Sequence, residues 1–89
     1  MYKIQPYSYQ KAKSLGLTIK PSKKKNKKID VYKDGHYMYS IGFLGFSDFP
    51  TFAQYDLDYA LERRRLYHLR HRKDNVYGSK GWASLEILW

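Results

Sequence analysis

The side chains able to do chemistry gather in two stretches. Ser22-Lys23-Lys24-Lys25-Asn26-Lys27-Lys28 holds five lysines in seven positions and has no apolar side chain to anchor it. Glu62-Arg63-Arg64-Arg65-Leu66-Tyr67-His68-Leu69-Arg70-His71-Arg72-Lys73 interleaves five arginines with a tyrosine and two histidines. Both compositions suit anions: ammonium groups act as point charges, guanidinium forks grip phosphate in a bidentate way, and rings stack on bases. The expected contacts to a polyanion or an acidic partner are therefore Lys23, Lys24, Lys25, Lys27 and Lys28, with Arg63 and Arg70 on one arc of a helix beside Tyr67.

A structural role competes for the same helix. Arg64 and His71 fall on its core-facing stripe, where each needs a polar partner to offset burial. Asp48 or Asp30 is the expected carboxylate, so Asp48, Arg64, Tyr67 and His71 are read as a buried polar network. For Arg64 and its neighbours this role is favoured, because acids in the same part of the chain balance the arginines. Other chemistry finds no support. No nucleophile, base and oxyanion pattern is recognisable, and no glycine-rich phosphate loop is present. His68 and His71 have a spacing that could show two imidazoles to a metal, yet no third ligand shares their arc. Asp56 and Asp58 point to different helix faces and make a poor catalytic pair. The expectation is no enzyme, no metal, no cofactor and no small-molecule substrate.

The charge is unevenly placed. The formal net charge is +9. Residues 1–29 contain nine lysines and no acid, while residues 30–89 balance three lysines and five arginines against eight acids. A nearly neutral domain thus carries a basic first third, which suits nucleic acid or an acidic neighbour in an assembly. At 89 residues the chain can build one modest core, and a deep catalytic cleft is not expected. Its 43% apolar, 18% aromatic and 28% charged residues fit a soluble globular domain. Without cysteine that core has no disulfide or thiolate–metal staple. No apolar run nears the roughly 18 residues of a spanning helix, and MYKIQPYSYQ lacks a signal-peptide stretch. The expected setting is the cytoplasm, the nucleus, or a particle assembled there.

The elements that must position these groups read as one α+β domain over residues 1–89. A short helix spans Ser8 to Leu15, with Ser8 as cap, Gly16 as stop and Tyr9, Ala12 and Leu15 on its buried stripe. A short strand covers 17–20, ended by Pro21, and an exposed lysine loop covers 22–28. A β-hairpin over about 28–42 turns at Asp34-Gly35, with Ile29, Val31 and Lys33 on one face and Tyr37, Tyr39 and Ile41 facing together from its second strand. A glycine-punctuated aromatic link comes next, with Asp48 and Thr51 as alternative caps. The absence of Gly and Pro from Phe52 to Asp74 predicts a long helix there, packed on the hairpin through Leu57, Ala60, Leu61, Arg64, Tyr67, His68 and His71. A short helix closes the chain, with Trp82, Leu85 and Trp89 spaced to bury together.

Several small motifs run in order along nearly the whole chain: Ile4-Gln5-Pro6-Tyr7-Ser8, Lys28-Ile29-Asp30-Val31, Ser40-Ile41-Gly42, Gly45-Phe46-Ser47-Asp48-Phe49-Pro50-Thr51, Tyr59-Ala60, Arg63-Arg64, Tyr67, Arg70-His71, Lys73-Asp74, Gly81 and Leu88-Trp89. This succession resembles a family of short, basic proteins of large (giant) DNA viruses. Phenylalanine stands at positions 46 and 49 where the family often has tyrosine. The resemblance implies a viral origin and leaves the mechanism open. Sixteen aromatic residues exceed what one small core can bury and match the types that dominate protein interfaces. The expected function is a minor capsid or cement protein of a virion, docked on larger capsid proteins through Phe46, Phe49, Trp82 and Trp89. The alternative is a nucleic-acid-binding protein that coats or condenses viral DNA through the lysine loop and the arginine helix.

Overall fold

Asp34 and Gly35 sit at φ of 52° and 80°, the left-handed pair that lets a two-residue turn follow the twist of its strands. In the computed structural model, which describes every residue from Met1 to Trp89, this turn joins β2 (Lys27–Lys33) to β3 (His36–Phe43). A further strand, β1 (Thr18–Pro21), runs antiparallel along the other edge of β2, giving the order β1-β2-β3. Pro21 pairs with Ile29 as the last residue of β1 and so belongs to the strand it was expected to end.

Ile19, Ile29, Val31 and Ile41 are buried together on one side of this sheet. They form a single cluster with Ala12 of α1 (Pro6–Ser14) and with Trp82, Ala83 and Ile87 of α4 (Lys80–Ile87). Each such aliphatic side chain contributes about 1.5–3 kcal/mol on full burial. The α+β class is the one read from the sequence, but the helices that cover the sheet are α1 and α4, not the long helix expected to pack on the hairpin. Trp82, Leu85 and Trp89 are all buried, as their spacing requires, and the Ser79 hydroxyl caps α4 by accepting from Trp82 N–H at 3.2 Å.

The hairpin departs from simple alternation at one residue. Val31 pairs with Tyr39 but Tyr32 pairs with Tyr37, so Met38 is an extra residue in β3, which bends the strand and shifts the facing of the residues on its turn side. Tyr37 is thereby moved off the face of Tyr39 and Ile41, where strict alternation put it. It lies instead edge-on to Tyr32 at 5.9 Å, and its hydroxyl meets Ser40 Oγ and Lys24 Nζ on the open side of the sheet.

The long helical region is also divided. α2 (Phe49–Ala53) and α3 (Leu57–Arg70) replace one continuous helix, and a 3-10 turn, Arg72–Asp74, comes after them. Asp48 caps the first, accepting from Thr51 N–H at 3.0 Å, and Asp56 caps the second, accepting from Tyr59 N–H at 3.1 Å. A capping aspartate restarts the helix without any Gly or Pro. Of the expected stripe only Ala60 is fully buried, and Leu57 and Leu61 are exposed.

The first helix begins earlier than Ser8. Gln5 is its cap position and Pro6 its first residue, where proline's missing N–H is harmless. Ser8 is instead buried, donating from Oγ to Ile87 O at 2.8 Å. Tyr9 faces solvent, so the packed side runs through Ser8 and Ala12. The lysine loop is shorter than 22–28. Lys23 to Asn26 are exposed, but Ser22 and Lys28 are buried and β2 has begun by Lys27.

Candidate functional site

Lys28 is one of five lysines in its segment and the only one taken inside. It is 3% exposed, and its ammonium donates to Asp48 Oδ2 at 2.7 Å. Gly42 makes the path: at φ of 79° it has no side chain, and a Cβ there would lie 2.9 Å from both Lys28 Cδ and Leu88 Cδ1. Tyr2 Oη donates to the same Asp48 oxygen at 2.7 Å, and its ring lies 5.2 Å from the Lys28 ammonium. Asp48 thus holds the start of the chain, strand β2 and helix α2 at one point. Lys28 is consequently committed to a carboxylate, which corrects its expected role as a contact for a polyanion.

Burial, helped by the hydrogen bond to Asp48 and by its charge, raises the Tyr2 hydroxyl well above the ordinary tyrosine range. Unfolded tyrosine ionises near pH 10, so above about pH 10 the unfolded chain has lost a proton that the folded chain keeps. Stability must then fall as pH rises through that window. Wild-type protein is expected to lose Tm more steeply above about pH 10 than Tyr2→Phe, whose ring cannot ionise. Parallel Tm-versus-pH curves would contradict the assignment.

A cleft of about 770 Å³ opens beside this anchor. Its apolar base is Ile41, Leu88, Phe52 and Trp89; Phe43, Phe46 and Ser47, from the end of β3 and the link after it, line one part. Lys27 enters from β2, Arg63, Tyr67 and Arg70 from α3, His71 from the turn after it, and Lys80 from the start of α4. No Asp or Glu side chain lines it. Two acids stand behind lining residues: Asp48 Oδ2 lies 2.7 Å from Lys28 Nζ, and Asp74 Oδ2 lies 3.0 Å from His71 Nδ1. Lys27, Arg63, Arg70 and Lys80 enter no ion pair. Burial lowers the Lys27 pKa, and Lys80 close by lowers it further, as expected when like charges share a site. Arg63 Nε is buried without a hydrogen-bond partner, an arrangement that costs free energy until an acceptor arrives.

No protein-family model, curated protein or solved structure matches the chain. What its site can do therefore rests on its own geometry. Of the seven basic residues expected to meet an anion, Lys27, Arg63 and Arg70 converge in the cleft, joined by the committed Lys28. Lys23, Lys24 and Lys25 lie outside it on the exposed loop, and Lys24 Nζ sits 4.0 Å over the Tyr37 ring. Lys80, which the sequence left unassigned, completes the set. Its only sequence signal is its place directly after Ser79, the residue that caps α4.

The expected polar network is not what joins α3 to the body. Arg64 reaches neither Asp48 nor Asp30; its guanidinium lies 4.3 Å over the Phe49 ring. Asp48 is taken by Lys28 and Tyr2, and Asp30 accepts from Ser40 Oγ. His71 pairs locally with Asp74, three residues on. Besides Ala60 and the Arg64–Phe49 contact, a stack of rings joins α3 to the core. Tyr67 lies 4.2 Å from Trp89 at 7° and 4.2 Å from His71 at 25°. Of the aromatics expected to dock or fill the core, Phe49, Trp82 and Trp89 are buried while Phe46 is 74% exposed.

Proposed function

We propose that this protein binds nucleic acid through the cleft, without enzymatic chemistry, as a coating or condensing component of a large DNA virus. The observation that supports it best is the convergence of four cations outside any ion pair, Lys27, Arg63, Arg70 and Lys80, with no Asp or Glu side chain in the lining. Such a set repels itself and gains free energy when phosphates enter. Lys23, Lys24 and Lys25 add charge on the loop outside. The viral origin rests on the run of motifs from Ile4 to Trp89.

Replacing Lys27, Arg63, Arg70 and Lys80 by glutamine removes up to about four phosphate contacts. A filter-binding titration against salt is then expected to lose up to about 3.6 from its log–log slope on duplex DNA, at about 0.9 per contact, and up to about 2.8 on a single strand, at about 0.7 per contact. Replacing Lys23, Lys24 and Lys25 instead is expected to cost less than the cleft set. Wild-type protein that binds no nucleic acid at low salt would refute the reading.

A second reading, a minor capsid or cement protein in the shell of the virion, is favoured by a separate feature. Tyr55, Leu57, Leu69, Val76 and Tyr77 are exposed outside the cleft, and aromatic side chains are enriched at protein interfaces. Co-sedimentation with empty capsids that survives the four cleft substitutions would favour the shell over the nucleic acid.

A further inference from the structure

Resting on the reading of the cleft as a nucleic-acid site, we infer that its occupant is single stranded and that an unpaired base stacks on Phe46. Phe46 is 74% exposed and Phe43 55% exposed, although both line a cleft whose base is apolar. The two rings meet edge to face at 6.3 Å. Lys27 Nζ lies 4.1 Å over the Phe43 ring, so that ring already serves a cation. Phe46 has no such partner, and it stands among the cations of the cleft.

Phosphates alone give this ring nothing to do. A duplex keeps its base faces covered by their neighbours, so it would bring charge to Lys27, Arg63, Arg70 and Lys80 while leaving Phe46 in water. An unpaired base has a free face, and every base has one, so stacking on an exposed ring tolerates any sequence. The helix side of the cleft distinguishes a strand from a single nucleotide. Arg63 and Arg70 are seven residues apart on α3, about 10 Å along the axis, so the two guanidinium groups take separate phosphates. A nucleoside monophosphate offers only one.

The test uses the full chain and an end-labelled oligothymidylate about twelve nucleotides long, within the usual range of single-strand sites. A blunt duplex of the same length is measured at the same salt by fluorescence anisotropy. Thymidine monophosphate and polyglutamate serve as unlabelled competitors. The strand is expected to bind at least about tenfold more tightly than the duplex, and Phe46→Ala to lose about tenfold on the strand, the effect of one stacked base. The same substitution should change duplex binding little, and Phe46→Tyr, which keeps the ring, should restore the strand. Because Phe46 is exposed, its substitution leaves the core untouched.

Equal or tighter duplex binding, or equal losses on strand and duplex, would overturn the inference. So would monophosphate competing as well as the strand, which would point to a free nucleotide, or polyglutamate doing so, which would point to an acidic protein. Duplex binding that ignores Phe46 would leave the nucleic-acid reading standing and remove only the strand. Failure of both strand and duplex to bind would remove the two together.

Discussion

Lys28→Met is expected to lower the unfolding free energy by about 3–5 kcal/mol, because it strands a buried carboxylate without its cation. Asp48 keeps Thr51 N–H and Tyr2 Oη as donors, but neither carries a charge. A domain of this size has roughly 5–15 kcal/mol in all, so the change removes a large share of it. Urea denaturation followed by tryptophan fluorescence reads the loss as a fall in midpoint. The double variant Lys28→Met/Asp48→Asn is expected to recover most of it, since asparagine still caps α2 and no charge is left buried. A single variant as stable as wild type would mean that Asp48 is uncharged or solvated in the folded protein.

Trp89→Ala is expected to be as damaging for a different reason. Its ring lies face to face with Tyr67 and tilted against Phe52 at 6.1 Å, and it belongs to the same buried cluster as the sheet. Tryptophan-to-alanine changes in a core cost about 3–5 kcal/mol, which for a chain of this length lowers Tm by at least about 12 °C. Trp89→Phe keeps a ring in the stack and should lose less than half as much. Differential scanning calorimetry would separate the two, and an unchanged Tm for Trp89→Ala would show that α3 is anchored elsewhere.

Local signals carried most of what the sequence disclosed. Asp34-Gly35 fixes the hairpin because the dipeptide itself accepts positive φ, and Trp82, Leu85 and Trp89 disclose their face by spacing. The bulge at Met38 has no such mark. Alternation alone misplaces Tyr37, because a single inserted residue inverts the pattern on its far side. The break between α2 and α3 was hidden for a related reason: a capping Asp56 looks like any surface aspartate in a stretch rich in helix formers.

The site was harder to see. Nothing local separates Lys28 from Lys27, and its partner lies 20 residues away, so only tertiary structure reveals which lysine is internal. Tyr2 is 46 residues from the same carboxylate. A stripe on a helical wheel implies a closed interface, and so assigns Arg64 a carboxylate. The actual neighbour is the face of Phe49, where a guanidinium needs no counter-ion.

Helix α3 supplies one side of the cleft, yet Ala60 is the only one of its fourteen residues that is fully buried. It packs chiefly on α2 and is tied to the core by the Tyr67–Trp89 stack, whereas the facing Lys27 belongs to a strand paired on both sides. Detaching such a helix takes less free energy than opening the sheet. The two sides therefore differ in compliance: the sheet is the stiff wall of the cleft, and α3 is the wall that yields first.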